Sequence, residues 1–91
     1  MAKVFVTLRV MPESVDIDLT KIENNIKNKI KDFGGDVAKI ETEPVAFGLK
    51  ALKIIFLLDE QKSNLDPLEE DVKTVDGVQS ADVVDVRRAV G

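Results

Sequence analysis

From residue 3 to residue 10 the chain alternates. Val4, Val6, Leu8 and Val10 fall on one face, and Phe5, Thr7 and Arg9 fall on the other. A period of two is that of a strand with one buried face, so this stretch is a first strand, ended by Pro12. The period then changes. Leu19, Ile22, Ile26, Ile30 and Phe33 are separated by 3, 4, 4 and 3 positions, the apolar stripe of a helix lying on a core. Asp16 and Asp18 stand where an N-cap is needed, and Lys27, Lys29 and Lys31 lie toward the end where the helix dipole favours cations. Gly34 and Gly35 end that helix.

Residues 36–45 read as a weaker strand, with Ala38, Ile40 and Thr42 alternating with Val37, Lys39 and Glu41. Its charges and Pro44 mark it as an edge. Residues 49–58 become apolar on both faces, with Leu52, Ile54, Phe56 and Leu58 on one and Ile55 and Leu57 on the other, which predicts a central strand. A second helix follows over residues 66–75, with the stripe Leu65, Leu68, Val72 and Val75. Asp66 is positioned to cap it, Pro67 suits its first turn, and Glu69 completes a box-like pattern. Gly77 ends it, "VQSADVVDV" (residues 78–86) is a fourth strand, and Arg87, Arg88 and a short tail close the chain.

The order βαββαβ, with a single apolar stripe on each helix, predicts an α+β, ferredoxin-like sandwich. Four antiparallel strands form one sheet, and both helices cover the same face of it. The length of 91 residues, with no linker or low-complexity segment, predicts one domain over residues 1–91.

Composition narrows the chemistry. Cysteine and histidine are absent, which removes the thiol nucleophile, the commonest general base near neutrality and the usual metal ligands. A cofactor-dependent or catalytic site is therefore not expected. Trp and Tyr are absent and the net charge is −4, which argues against direct nucleic-acid binding through a basic, aromatic face. No apolar run reaches the length of a membrane span, and Met1 and Ala2 lead straight into the first strand with no signal segment. The expectation is a soluble, cytoplasmic protein with no membrane contact.

The remaining clusters have plain readings. Glu69, Glu70 and Asp71 fall in the first turn of the second helix, where acids suit the dipole, and read as solvated surface. Asp59 and Glu60 read as a polar loop. Gly34 and Gly35 follow a helix and lack the Lys-Ser/Thr of a phosphate loop. The uncovered sheet face carries Phe5, Ile55 and Leu57 but lacks the aromatic run of RNA-recognition sheets. That face is either an interface or a surface covered by long side chains, the tail or a second copy. Phe47 stands between Ala46 and Gly48, three residues after Pro44. It either folds back over the sheet edge or stands out to meet a partner.

"AFGLKAL" (residues 46–52) resembles the Gly-Phe/Tyr-Gly-Ile/Leu-Lys-x-Leu motif of the elongation factor 1-beta family. "VQSADVVDV" resembles that family's Val-Gln-Ser-x-Asp-Ile/Val ending, and "VTLRVMP" (residues 6–12) its first strand and following proline. The three segments occur in the family's order and span nearly the whole chain. With no N-terminal extension before them, the chain resembles the archaeal form of the family. The resemblance implies a guanine nucleotide exchange factor that expels GDP from the aminoacyl-tRNA-delivering GTPase, elongation factor 1-alpha, meeting it in GDP-bound and nucleotide-free forms. The chain is expected to be a monomer and, lacking a phosphate loop and a clustered carboxylate site, to hold no nucleotide, metal or cofactor of its own. The resemblance places the family's loop aromatic at Phe47, with Gly48 and Lys50 beside it. The family's C-terminal lysine, which lies near the GTPase's Mg²⁺ and phosphates, falls at Arg88, next to Arg87. Ala46 stands in place of the family's first glycine.

Two other classes share this fold. A dimeric, small-molecule-binding regulatory domain needs a glycine-rich ligand loop after the first strand, and "MPESVDID" (residues 11–18) holds no glycine. An acylphosphatase-like enzyme needs an arginine at the same junction, and none lies between Met11 and Leu19.

Overall fold

The computed structural model describes residues 3–62 and 64–89, the Lys62 side chain excepted. Met1, Ala2 and the tail residues Val90 and Gly91 lie outside them. The elements are β1 (Lys3–Pro12), α1 (Leu19–Phe33), β2 (Asp36–Pro44), β3 (Lys50–Asp59), a one-turn 3₁₀ helix (Glu60–Lys62), α2 (Asp66–Lys73) and β4 (Val78–Arg88). The sheet order is β2-β3-β1-β4, and every neighbouring pair is antiparallel. β3 is therefore central and β2 an edge, as their patterns predict.

The core lies between the sheet and the helices. Val4, Val6, Leu8 and Val10 of β1 and Leu52, Ile54, Phe56 and Leu58 of β3 face Ile22, Ile26 and Ile30 of α1 and Leu68 and Val72 of α2. Burial of this order, about 1.5–3 kcal/mol for each large side chain, fixes the register. A one-residue slip would turn every one of these residues to the open face. α1 begins where the sequence places it. Asp18, not Asp16, is its cap, with Oδ1 accepting from the Thr20 N–H at 3.0 Å.

α2 departs from its sequence reading. Its N-cap is Leu65, which makes no side-chain capping bond, and Asn64 Oδ1 accepts from the Asp66 N–H at 3.3 Å instead. Glu69 closes no capping box and is not free surface. It is half-buried and its Oε1 accepts from the Val83 N–H of β4 at 3.2 Å. The reason lies in the strand. β4 carries a bulge, where pairing passes from Leu8–Val83 to Thr7–Asp85 and leaves Val84 unpaired. A carboxylate reaching across from α2 satisfies an edge-strand donor beside that irregularity.

β4 also runs on to Arg88, past the Val86 end that its pattern suggests. Arg87 and Arg88 pair with Phe5 and Val4 of β1. The ladder continues one bond further, from the Ala89 N–H to the Lys3 carbonyl at 2.9 Å.

Candidate functional site

The β2–β3 hairpin ends in a tight turn. The Leu49 N–H donates to the Ala46 carbonyl at 2.9 Å, and the Val45 N–H donates to the Leu49 carbonyl at 2.9 Å. The two central residues both have positive φ, +53° at Phe47 and +80° at Gly48. This conformation matches the right-handed twist of a hairpin but suits glycine or asparagine. Gly48 adopts it freely. A bulky L-residue pays about 1–2 kcal/mol for it, and Phe47 is the one non-glycine residue with positive φ among those described. Its ring recovers nothing by packing, since the residue is 98% exposed. Of the two orientations open to Phe47, the structure takes the outward one.

The neighbouring loop, residues 13–18, closes the same end of the molecule. The Glu13 N–H donates to the Gly77 carbonyl at 2.8 Å, and the Asp16 N–H donates to Ser14 Oγ at 3.3 Å. Gly77 has φ +92°, and a Cβ there would stand 2.9 Å from Ile17 Cγ2. Ile17 is thereby lodged against bare backbone. Val15 lies beside the hairpin, 3.5 Å from the place a Cβ on Gly48 would occupy. A shallow groove between the two loops is lined by Val15, Ile17, Gly48 and Lys50. Sequence reasoning missed Val15. Its one signal was an apolar residue set between Ser14 and Asp16 in the connecting stretch "MPESVDID".

Phe47, Gly48 and Lys50 thus form one cluster, but Arg87 and Arg88 do not join it. Arg88 is level with Val4 and Leu58, whereas Lys50 is level with Pro44. Those rows are eight positions apart along β3, about 27 Å at the rise of a strand. Nor do the arginines lie beyond the sheet, where a fourth strand ending at residue 86 leaves them. As consecutive strand residues they face opposite ways. Arg87 lies on the open face opposite Phe5, and its Nε meets Asp85 Oδ2 at 2.8 Å. Arg88 lies on the helix side, where its guanidinium donates to Glu60 Oε1 at 2.7 Å. The hydrogen bond that Arg88 donates to Glu60, and then the charge of Glu60, raise the Arg88 pKa above its ordinary value. Glu60, read from sequence as loop polarity, is therefore the residue that holds Arg88.

On the open face Phe5 pairs with Leu57 and Thr7 with Ile55. Phe5 is 36% exposed and Ile55 and Leu57 are half-buried. The expected apolar trio is therefore present, level with Arg87. Toward β2 it is bounded by Lys39, which holds Glu41 at 2.8 Å. The hydrogen bond and then the charge of Lys39 lower the Glu41 pKa, and the same contacts raise that of Lys39. Among the described residues no group of three or more acidic side chains is placed to hold a metal ion, and no helix is long and apolar enough to cross a membrane.

The model of the EF-1 guanine nucleotide exchange domain matches residues 5–89. The chain is 38% identical over 88 residues to elongation factor 1-beta of Methanothermobacter thermautotrophicus, covering 97% of this chain and 98% of that one. It is 40% identical over 89 residues to elongation factor 1-beta of Staphylothermus marinus, again over 97% and 98% of the two chains. Among solved structures it is similar in fold to the ACT domain of a GTP pyrophosphokinase from Chlorobium tepidum. The TM-score is 0.61 at 18% identity, over 90% of this chain and 99% of that one. It is likewise similar to the de novo designed protein Foldit4, with a TM-score of 0.66 at 16% identity over 98% of each chain.

Proposed function

The chain belongs to the family of the EF-1 guanine nucleotide exchange domain, and we propose that it drives GDP from elongation factor 1-alpha by gripping that GTPase at both ends of its sheet. Phe47, Gly48 and Lys50 form one grip. Arg88, with Arg87 on the other face of the same strand, forms the second. One copy acts on one GTPase in the cytoplasm, as a single exchange domain over residues 1–91.

No catalytic residue is required. A GTPase holds GDP through phosphate-cradling amides and Mg²⁺. A protein that binds the nucleotide-free form more tightly than the loaded form weakens nucleotide binding by the same factor. At one end the Phe47 ring enters the partner and anchors it. At the other, the Arg88 cation leaves Glu60 and opposes Mg²⁺ by charge. A separation of about 27 Å along β3 between the Lys50 and Arg88 rows means that the ring and the cation act on different parts of the GTPase, so the wedge and the Mg²⁺ competitor are distinct functions.

The observation that carries this reading is the hairpin tip, an aromatic ring 98% exposed on a positive-φ backbone. Strain kept without any packing gain is characteristic of a site that meets something else. The test is release of fluorescent GDP from purified elongation factor 1-alpha. The chain should accelerate release, and Phe47→Ala should lose most of the acceleration. Arg88→Ala should slow release at millimolar Mg²⁺, and that defect should shrink when a chelator removes the ion. A wild-type chain without effect overturns the role in exchange, and a fully active Phe47→Ala overturns the grip at the tip.

A further inference from the structure

Three of the exposed large apolar residues collect at the hairpin end. Phe47 is joined there by Val15 at 58% exposure and Val45 at 43%. They come from two separate segments, and the fold sets Val15 beside the Gly48 turn, so the apolar surface there is a product of the fold. Residues 13–17 are also firmly held. Glu13 is tied to the Gly77 carbonyl at 2.8 Å, Ile17 lodges under Gly77, and the Ile17 N–H donates to the Ser14 carbonyl at 3.4 Å. A loop pinned at both ends presents a valine to solvent at its tip. The free energy favours turning such a side chain inward, unless a partner covers it.

The charge around this patch is specific. Lys50 lines the groove beside Val15 and makes no ion pair among the described residues. Glu43, the acid nearest to it in sequence on β2, is taken by Lys53 at 3.2 Å. Glu13 and Asp16 surround Val15 with exposed negative charge. The surface is therefore apolar at its centre, with the two acids on the loop side and one unneutralised cation, Lys50, on the hairpin side.

We infer that residues 13–17 are a second contact of the exchange surface. Val15 forms an apolar shoulder beside the turn that carries Phe47, and Lys50 marks where the partner supplies a carboxylate. The occupant is the same GTPase, so this inference rests on the reading of Phe47 above. It adds that the partner's recess extends past the ring onto the β1–α1 loop, and that an acidic side chain of the partner stands at its rim.

The chain contains no cysteine, so Val15→Cys introduces a single thiol. Its alkylation, followed by the mass of this chain, should slow at least tenfold when nucleotide-free elongation factor 1-alpha is bound. A thiol at Asn24→Cys, on the exposed surface of α1, should react at the same rate free and bound. Val15→Asp should weaken binding tenfold or more and leave the melting temperature unchanged, while Asn24→Asp should do neither. Lys50→Glu should weaken binding and Lys50→Arg should restore it. If wild type binds and Val15→Cys reacts equally fast in the complex, the second contact is overturned while the exchange role stands. If wild type itself fails to bind, the underlying reading of function fails instead.

Discussion

Two phenylalanines of this chain occupy opposite extremes. Phe56 is fully buried in β3, and Phe47 is 98% exposed at the hairpin tip. Phe56→Ala should cost about 3–5 kcal/mol, the usual loss for a buried aromatic. Phe47→Gly should stay within about 1 kcal/mol of wild type, because relief of the positive φ offsets the extra freedom of the unfolded chain. Urea unfolding checks both, and the same Phe47→Gly chain should be nearly inactive in GDP release. Arg88 yields a second residue-scale expectation. It is held by Glu60 at 2.7 Å, and an exposed pair of this kind adds little to stability. Glu60→Gln should therefore leave the unfolding midpoint unmoved yet speed GDP release, since the arginine no longer has to leave a carboxylate. Unchanged release would mean that Arg88 reaches the partner without breaking this pair.

At the scale of elements, joints between segments carry the consequences. Glu69 joins α2 to β4 through the Val83 N–H, so Glu69→Ala should cost about 0.5–1.5 kcal/mol and raise hydrogen exchange at Val83. Gly77 is the seat of the β1–α1 loop. Gly77→Ala sets a Cβ 2.9 Å from Ile17 Cγ2 and forces alanine to φ +92°, which should cost about 1–3 kcal/mol. The edge strand β2 supplies a pH dependence. Glu41 has its pKa lowered from 4.5 by Lys39, and Lys39 has its own raised from 10.5. A lowered carboxylate contributes stability above its unfolded pKa and loses it as pH falls through the folded value. A raised lysine contributes below its unfolded pKa and loses that contribution as pH rises through the folded one. The small gap between wild type and Lys39→Ala should therefore be widest between those two values and close at either extreme, as thermal unfolding across pH can record.

The whole molecule is elongated, 42 × 22 × 18 Å along its principal axes, with one proposed grip at each end. Sites this far apart are energetically independent. Phe47→Ala and Arg88→Ala should thus multiply in their effects on GTPase affinity, whereas Phe47→Ala and Val15→Asp, side by side, should not. Isothermal titration with the single and double variants separates the cases. How much of this could be read in advance follows the same division by distance. The stripe of Ile22, Ile26 and Ile30 and the alternation of Val4 to Val10 were legible because local period reports which face is buried. The two-ended arrangement was not, because Phe47 and Arg88 are 41 positions apart in a sequence that carries no register. Glu69 was misread because Asp66, Pro67 and Glu69 fit a local cap, while its actual partner at Val83 depends on a bulge. Phe47 itself was half legible. Gly48 announced a turn, but the positive φ of the phenylalanine follows only from the closure between Ala46 and Leu49.

The paired positive φ at the tip also makes handedness a usable variable. At residues 47 and 48 the backbone lies where a mirror-image amino acid sits without strain. In a chemically synthesised chain, Gly48→D-Ala should raise stability by about 0.4–1 kcal/mol, because it restricts the unfolded chain and fits the folded turn. Gly48→Ala in the natural hand should lower it. Inverting only the α-carbon of Phe47 should likewise ease the turn, but it would redirect the ring. Such a chain should melt no lower than wild type and fail in GDP release, which would separate the shape of the turn from the direction in which it points its aromatic group.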